Sequence, residues 1–161
     1  RYAKFNYADN TWDIGSLSRT AWVDFGLHDK PRAAGVDSSL NYVYAHETGT
    51  TADGAAMSPF IESSVFSIGD GEQFSFISRI IPDIDITSSD SATSVNYVLK
   101  TRDFPGDTLA TNSTNAVTST TQQSFVRSRS RSAVLRVESS ATDVAWTLGD
   151  VRLDLRPDGR R

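Results

Sequence analysis

Phe125, Arg127, Arg129 and Arg131 share one parity of a strand-like run, with Ser128, Ser130 and Ser132 alternating with the arginines. A guanidinium is a planar fork of donors, so three on one side suit bidentate contacts to phosphate, carboxylate or DNA-backbone oxygens. The same spacing describes a charged edge strand that deters aggregation, or a face held against another subunit. A second run, Val151-Arg152-Leu153-Asp154-Leu155-Arg156, puts its apolar residues on one face and its charges on the other. Arg152, Asp154 and Arg156 suit cross-strand ion pairing first, and contact with another subunit second. Arg127, Arg129, Arg131, Arg152 and Arg156 are therefore the interface candidates.

Other constellations carry less chemistry. Trp12, Trp22, Tyr42 and Tyr44 could stack against sugar rings, although bulky rings are also the usual filling of a small β core. Asp70, Asp83, Asp85 and Asp90 are hard-oxygen donors of the kind calcium takes, but no loop has the spacing of a twelve-residue calcium loop, and Asp-Gly is first of all a turn signal. His28 and His46 are the only imidazoles, and no G-x-S-x-G elbow accompanies them. Without cysteine, thiolate zinc sites, iron–sulfur clusters and thiol catalysis are excluded. No glycine-rich phosphate loop opens a helix. The expectation is a protein without enzymatic activity, cofactor or metal. No run of 18 apolar residues marks a membrane span, and no charged-then-apolar leader marks a signal peptide.

The elements that must hold these residues are strands. The chain has 161 residues, and its 36 Val, Ile and Thr outnumber 17 Leu, Glu, Lys and Met, a balance that favours pleated, half-buried segments. Serine and threonine together number 38, and the formal net charge is −4, which weakly disfavours a broad nucleic-acid surface. Residues 1–56 read as short runs with an aromatic in each: Tyr2 to Tyr7, a turn at Ala8-Asp9-Asn10, then Thr11 to Ile14, Thr20 to Phe25 and Leu40 to His46. That rhythm predicts a partial β-propeller blade, part of a larger domain. Thr50 to Met57 is the expected boundary. Residues 57–161 then read as an antiparallel β-sandwich: Phe74 to Ile81 is a strong apolar strand interrupted by Pro82, Ile84 and Ile86 start a bulge, an edge or a new direction, and Asn112 to Gln123 is polar with at most one frayed strand. Three strands close the chain, the last broken near Gly149. The start at Arg1 without methionine reads as a fragment, a processed product or the ordered part of something longer.

Taken in order, several motifs resemble the C-terminal part of the tail nozzle, tail tubular or packaged-DNA-stabilisation (hub) proteins of short-tailed bacteriophages. They are Phe5-Asn6-Tyr7 with Thr11-Trp12, Leu17-Ser18-Arg19-Thr20-Ala21-Trp22-Val23-Asp24, Tyr44-Ala45-His46-Glu47-Thr48-Gly49, Phe66-Ser67-Ile68-Gly69-Asp70-Gly71, Arg79-Ile80-Ile81-Pro82-Asp83, Leu99-Lys100-Thr101-Arg102-Asp103-Phe104-Pro105, Trp146-Thr147-Leu148-Gly149-Asp150 and Arg156-Pro157-Asp158-Gly159-Arg160-Arg161. The resemblance implies a virion structural protein in the phage tail: a homo-oligomer, by family a hexameric ring, docked on other tail or portal-adaptor proteins. DNA would pass through it without sequence-specific binding and be retained until ejection. The alternative is a carbohydrate-binding β-sandwich module that uses Trp12, Trp22, Tyr42 and Tyr44.

Overall fold

The structure, a computed structural model, describes residues 1–37, 39–67, 70–88 and 93–160; Ile68 and Gly69 of the expected turn, Asp90 and Arg161 lie outside the described residues. Two compact units divide the chain, Arg1–Gly49 and Thr50–Arg161. Among the described residues no helix is long and apolar enough to cross a membrane.

In the first unit β1 (Tyr2–Asn6) and β2 (Thr11–Gly15) pair as an antiparallel hairpin. Its turn is held by Asn6 Oδ1, which accepts the Ala8 N–H at 3.0 Å, and by Asn10, whose φ of 53° is one that asparagine tolerates better than most residues. β3 (Ala21–Val23), β4 (Arg32–Asp37) and β5 (Leu40–Ala45) form a separate three-stranded antiparallel sheet in chain order.

This arrangement corrects the expected propeller blade. A blade is one four-stranded sheet, whereas here the strands divide between a hairpin and a three-stranded sheet, and no sheet is closed or curled. β2 and β3 do not pair: residues 16–19 between them carry no strand pairing, and the Ser18 carbonyl oxygen packs close to β4, only 3.0 Å from where a Cβ on Gly35 would stand, so the strands a blade needs are not in one sheet. The expected partial blade followed by a sandwich is replaced by an all-β chain of several antiparallel sheets.

The second unit contains β6 (Thr51–Ala52), β7 (Ala55–Ala56), β8 (Phe60–Glu62), β9 (Ser75–Ile81), β10 (Ile84–Ser88), β11 (Val95–Arg102), β12 (Ala110–Val117), β13 (Ser124–Ser130), β14 (Ser132–Glu138), β15 (Val144–Leu148) and β16 (Arg152–Pro157). One sheet runs β12-β11-β14-β8 and another β13-β9-β16, while β10 pairs with β15 and β6 with β7. Residues from both larger sheets share a core: Ile77 and Ile80 from β9, Val126 from β13, Val95, Tyr97 and Leu99 from β11, Val117 from β12, and Ala133 and Val137 from β14. Each fully buried Val, Ile or Leu contributes roughly 1.5–3 kcal/mol. β12 differs from the expected frayed segment, because seven of its eight residues pair along β11, Asn112 alone being passed over at a register shift. Threonine suits a pleated edge, and only Val117 of this strand is fully buried.

Ile77 and Ile80 are both buried although they are three residues apart, a spacing that a regular strand cannot place on one face. The register of β9 shifts at Ser78 against both neighbours, so the irregularity resets the parity. β9 and β10 then continue as one bent ribbon opposite β15 and β16. At the bend, Pro82 interrupts β9, the Gly149 N–H donates to the Asp83 carbonyl at 2.8 Å, and the Asp150 N–H donates to Asp83 Oδ2 at 3.2 Å.

Candidate interaction surfaces

The reset parity of β9 creates the outer face of the β13-β9-β16 sheet. Arg129, Phe76 and Arg156 stand in one cross-strand row, Phe125, Arg79 and Asp154 in another, and Arg152 lies opposite Ile81. The row positions follow from the turn and bulge geometry, since cross-strand partners share a face. Arg79 pairs with Asp154, its Nε 2.7 Å and its Nη2 2.5 Å from Oδ2, and its Nη1 donates to Gln123 Oε1 at 2.8 Å. Arg129 pairs with Asp158 at 2.6 Å and lies 4.0 Å from the centre of the Phe74 ring, while Arg156 lies 4.6 Å from the centre of Phe76. Guanidinium over aromatic faces is a stabilising and partly desolvated arrangement.

Four of the five interface candidates lie on this face, and β13 is an edge strand. Arg127 and Arg129 project outward from β13 while Val126, Ser128 and Ser130 are buried. Arg131 departs from the expected parity set. It sits between β13 and β14, where the chain passes from one sheet to the other, with its guanidinium 4.9 Å from Phe74 and 5.2 Å from Phe104. Its Nη2 donates to the Arg160 carbonyl at 3.3 Å. Arg127 and Arg152 make no ion pair or hydrogen bond among the described residues. Phe74, Phe76 and Arg79 are part of this surface, yet they read in the sequence only as pieces of an apolar strand. The signal that could have found them is the Ile77/Ile80 spacing.

In the first unit, Trp22, Ala33 and Tyr44 form one cross-strand row and Tyr42 stands opposite Gly35, two residues along, on the same face. His46 packs on Trp22 at 4.7 Å with the rings inclined by 43°, and Tyr42 and Tyr44 are 6.0 Å apart at 56°. Arg19 lies 3.7 Å from the centre of the Tyr44 ring and donates from Nε to His46 Nε2 at 3.3 Å. Partial burial and the neighbouring Arg19 charge hold the His46 pKa below the ordinary histidine value. Trp12 is not part of this group. It stacks on Phe5 at 4.7 Å in the hairpin. Three of the four candidate sugar-stacking residues thus share a face, with inclined rings and with Arg19 over one of them.

On the other large sheet Glu62 accepts from Lys100 Nζ at 2.5 Å and from Arg136 at 3.4 Å, and Arg136 also pairs with Glu138 at 2.6 Å. The hydrogen bond from Lys100 lowers the Glu62 pKa, and that to Glu138 raises the Arg136 pKa. Among the described residues no three His, Asp or Glu side chains gather as a metal-binding group. Neither a protein-family model nor a curated protein matches this chain.

Proposed function

We propose that the chain is a non-enzymatic structural protein that works by assembly. The observation that carries this reading is the distribution of apolar surface. Of the 21 exposed large hydrophobic residues among those described, 14 lie in the first 49 residues, where Ala33 is the only buried hydrophobic one. Tyr7, Ile14, Phe25 and Leu27 are each at least 75% exposed. Apolar surface of this extent on a small unit marks a site that other protein covers. The accessible surface supports the same reading. It is 11080 Å², whereas two separate globules of these two sizes would expose roughly 9,400 Å².

Together with the sequence resemblance, this points to a ring, nozzle or hub, in the tail of a tailed bacteriophage. DNA is retained by and ejected through such a ring, and the net charge of −4 keeps its contact with DNA weak. The test is sedimentation and negative-stain imaging of the full chain beside the variant Val23→Thr/Leu40→Thr/Val43→Thr. These substitutions keep strand propensity and remove exposed methyl groups. Rings or defined oligomers that the variant loses are expected. A wild-type chain that stays monomeric at high concentration and binds a defined glycan would replace the reading with the carbohydrate-binding one.

A further inference from the structure

The second unit is electrically divided. Its β13-β9-β16 face and the adjoining end carry Arg79, Arg127, Arg129, Arg131, Arg152, Arg156 and Arg160, with Asp154, Asp158 and Glu72 as the carboxylates among them. Beyond the bend, residues 83–88 and 141–150 contain Asp83, Asp85, Asp143 and Asp150 and no lysine or arginine. All four aspartates are exposed: Asp83 and Asp85 alternate with the core-facing Ile84 and Ile86 of β10, and Asp143 and Asp150 flank β15, whose Trp146 and Leu148 pack on the core. A chain whose overall balance is acidic has thus gathered seven of its 16 cations on this face and the end that adjoins it.

We infer that the arginine face is a docking surface for a second copy of this chain, and that its occupant is the acidic β10-β15 ribbon of that copy. Charge complementarity within one compact unit supports the assignment: every copy carries both halves of the contact. Arg127 and Arg152 are left without an intramolecular ion pair, while Phe76 and Phe125 stand among the arginines. Arginine with aromatic rings is the composition of protein interfaces. Asp154 and Asp158 within the face, and the net charge of −4, favour a protein partner over a phosphate backbone. A contact between two different surfaces is head to tail, so it closes into a ring or runs on as a filament. The inference rests on the proposed assembly role and names one of its contacts.

A charge-swap experiment on the full chain tests it. One variant is Arg127→Glu/Arg152→Glu and the other Asp85→Lys/Asp143→Lys; none of these four residues belongs to the core. Each variant alone should associate at least about tenfold more weakly than wild type at about 50 mM NaCl, an ionic strength at which exposed charges still act over distances of 10 Å or more. An equimolar mixture should recover association, because the acidic ribbon of the first variant meets the arginine face of the second. Association of either variant at wild-type strength, or no recovery in the mixture, overturns the inference. If the Val23→Thr/Leu40→Thr/Val43→Thr variant still loses assembly in that case, the proposed assembly role survives without this contact. An oligonucleotide duplex that binds the wild-type arginine face while the copies ignore each other also overturns it.

Discussion

Tyr97 is a residue whose replacement should strengthen the fold. It lies on β11 with 0% exposure, and its Oη has no hydrogen-bond partner. A buried hydroxyl without a partner costs about 1–3 kcal/mol of lost hydration. Tyr97→Phe removes that cost and keeps the ring, at the expense of a void the size of one oxygen. The expected net gain is about 1 kcal/mol, or about 4 °C in the midpoint of a domain of this size. Burial first, and then the Asp83 charge, push the Tyr97 pKa up to about 12. The folded pKa therefore lies above the unfolded one. The stability linked to the proton is fully present below about pH 10 and is lost as pH rises through the folded value. A two-unit shift corresponds to roughly 2–3 kcal/mol in total, and at about pH 11 to about half of that. Urea unfolding followed by circular dichroism at about pH 8 and about pH 11 should show the advantage of the phenylalanine variant growing by about 1 kcal/mol. A variant less stable than wild type at the lower pH, or an advantage that does not change with pH, would refute the reasoning.

Three further outcomes are expected. Gly149→Ala places a methyl 2.6 Å from Asp83 Oδ2, the atom that accepts the Asp150 N–H. It should cost about 1–2 kcal/mol, and a double variant with Asp83→Ala should lose less than the two single losses added, measured by the same denaturation. Leu99→Ala, in the shared core with 0% exposure, should cost about 2–5 kcal/mol, whereas Ile14→Ala, 83% exposed, should change the stability of the isolated chain by about 0.5 kcal/mol at most. Because its pKa is lowered in the folded chain, His46 contributes stability that is present above the unfolded value and lost as pH falls through the folded one. Protonation also removes the lone pair that accepts from Arg19. Amide protection factors around β5, that is, exchange corrected for its intrinsic pH dependence, should fall on acidification below about pH 6.5 in wild type and not in His46→Gln.

The division between sequence and structure is visible in individual residues. Val126, Ser128 and Ser130 against Arg127 and Arg129 follow strict alternation, so the strand and its outward charges were readable at once. The same holds for Ile84 and Ile86 against Asp83 and Asp85, and for the interruptions at Pro82 and Gly149, where missing donors or missing Cβ atoms leave a local mark. Alternation is a local property, set by backbone pleat and by the need to bury one side.

What depends on distant segments was not local. The propeller rhythm of residues 1–56 depended on which strands pair, and β2 and β3 fall in separate sheets. Arg131 kept the parity of its neighbours in the sequence but left the strand where the chain changes sheets. Phe76 and Arg79 reached the arginine face only through the irregularity at Ser78, where the register shifts against both neighbouring strands. The amino-acid sequence by itself determined an all-β chain with charged and apolar parities already sorted. Only the tertiary structure decided which cations meet a carboxylate and which remain free, because strand order and register bring together side chains such as Arg79 and Asp154, 75 residues apart.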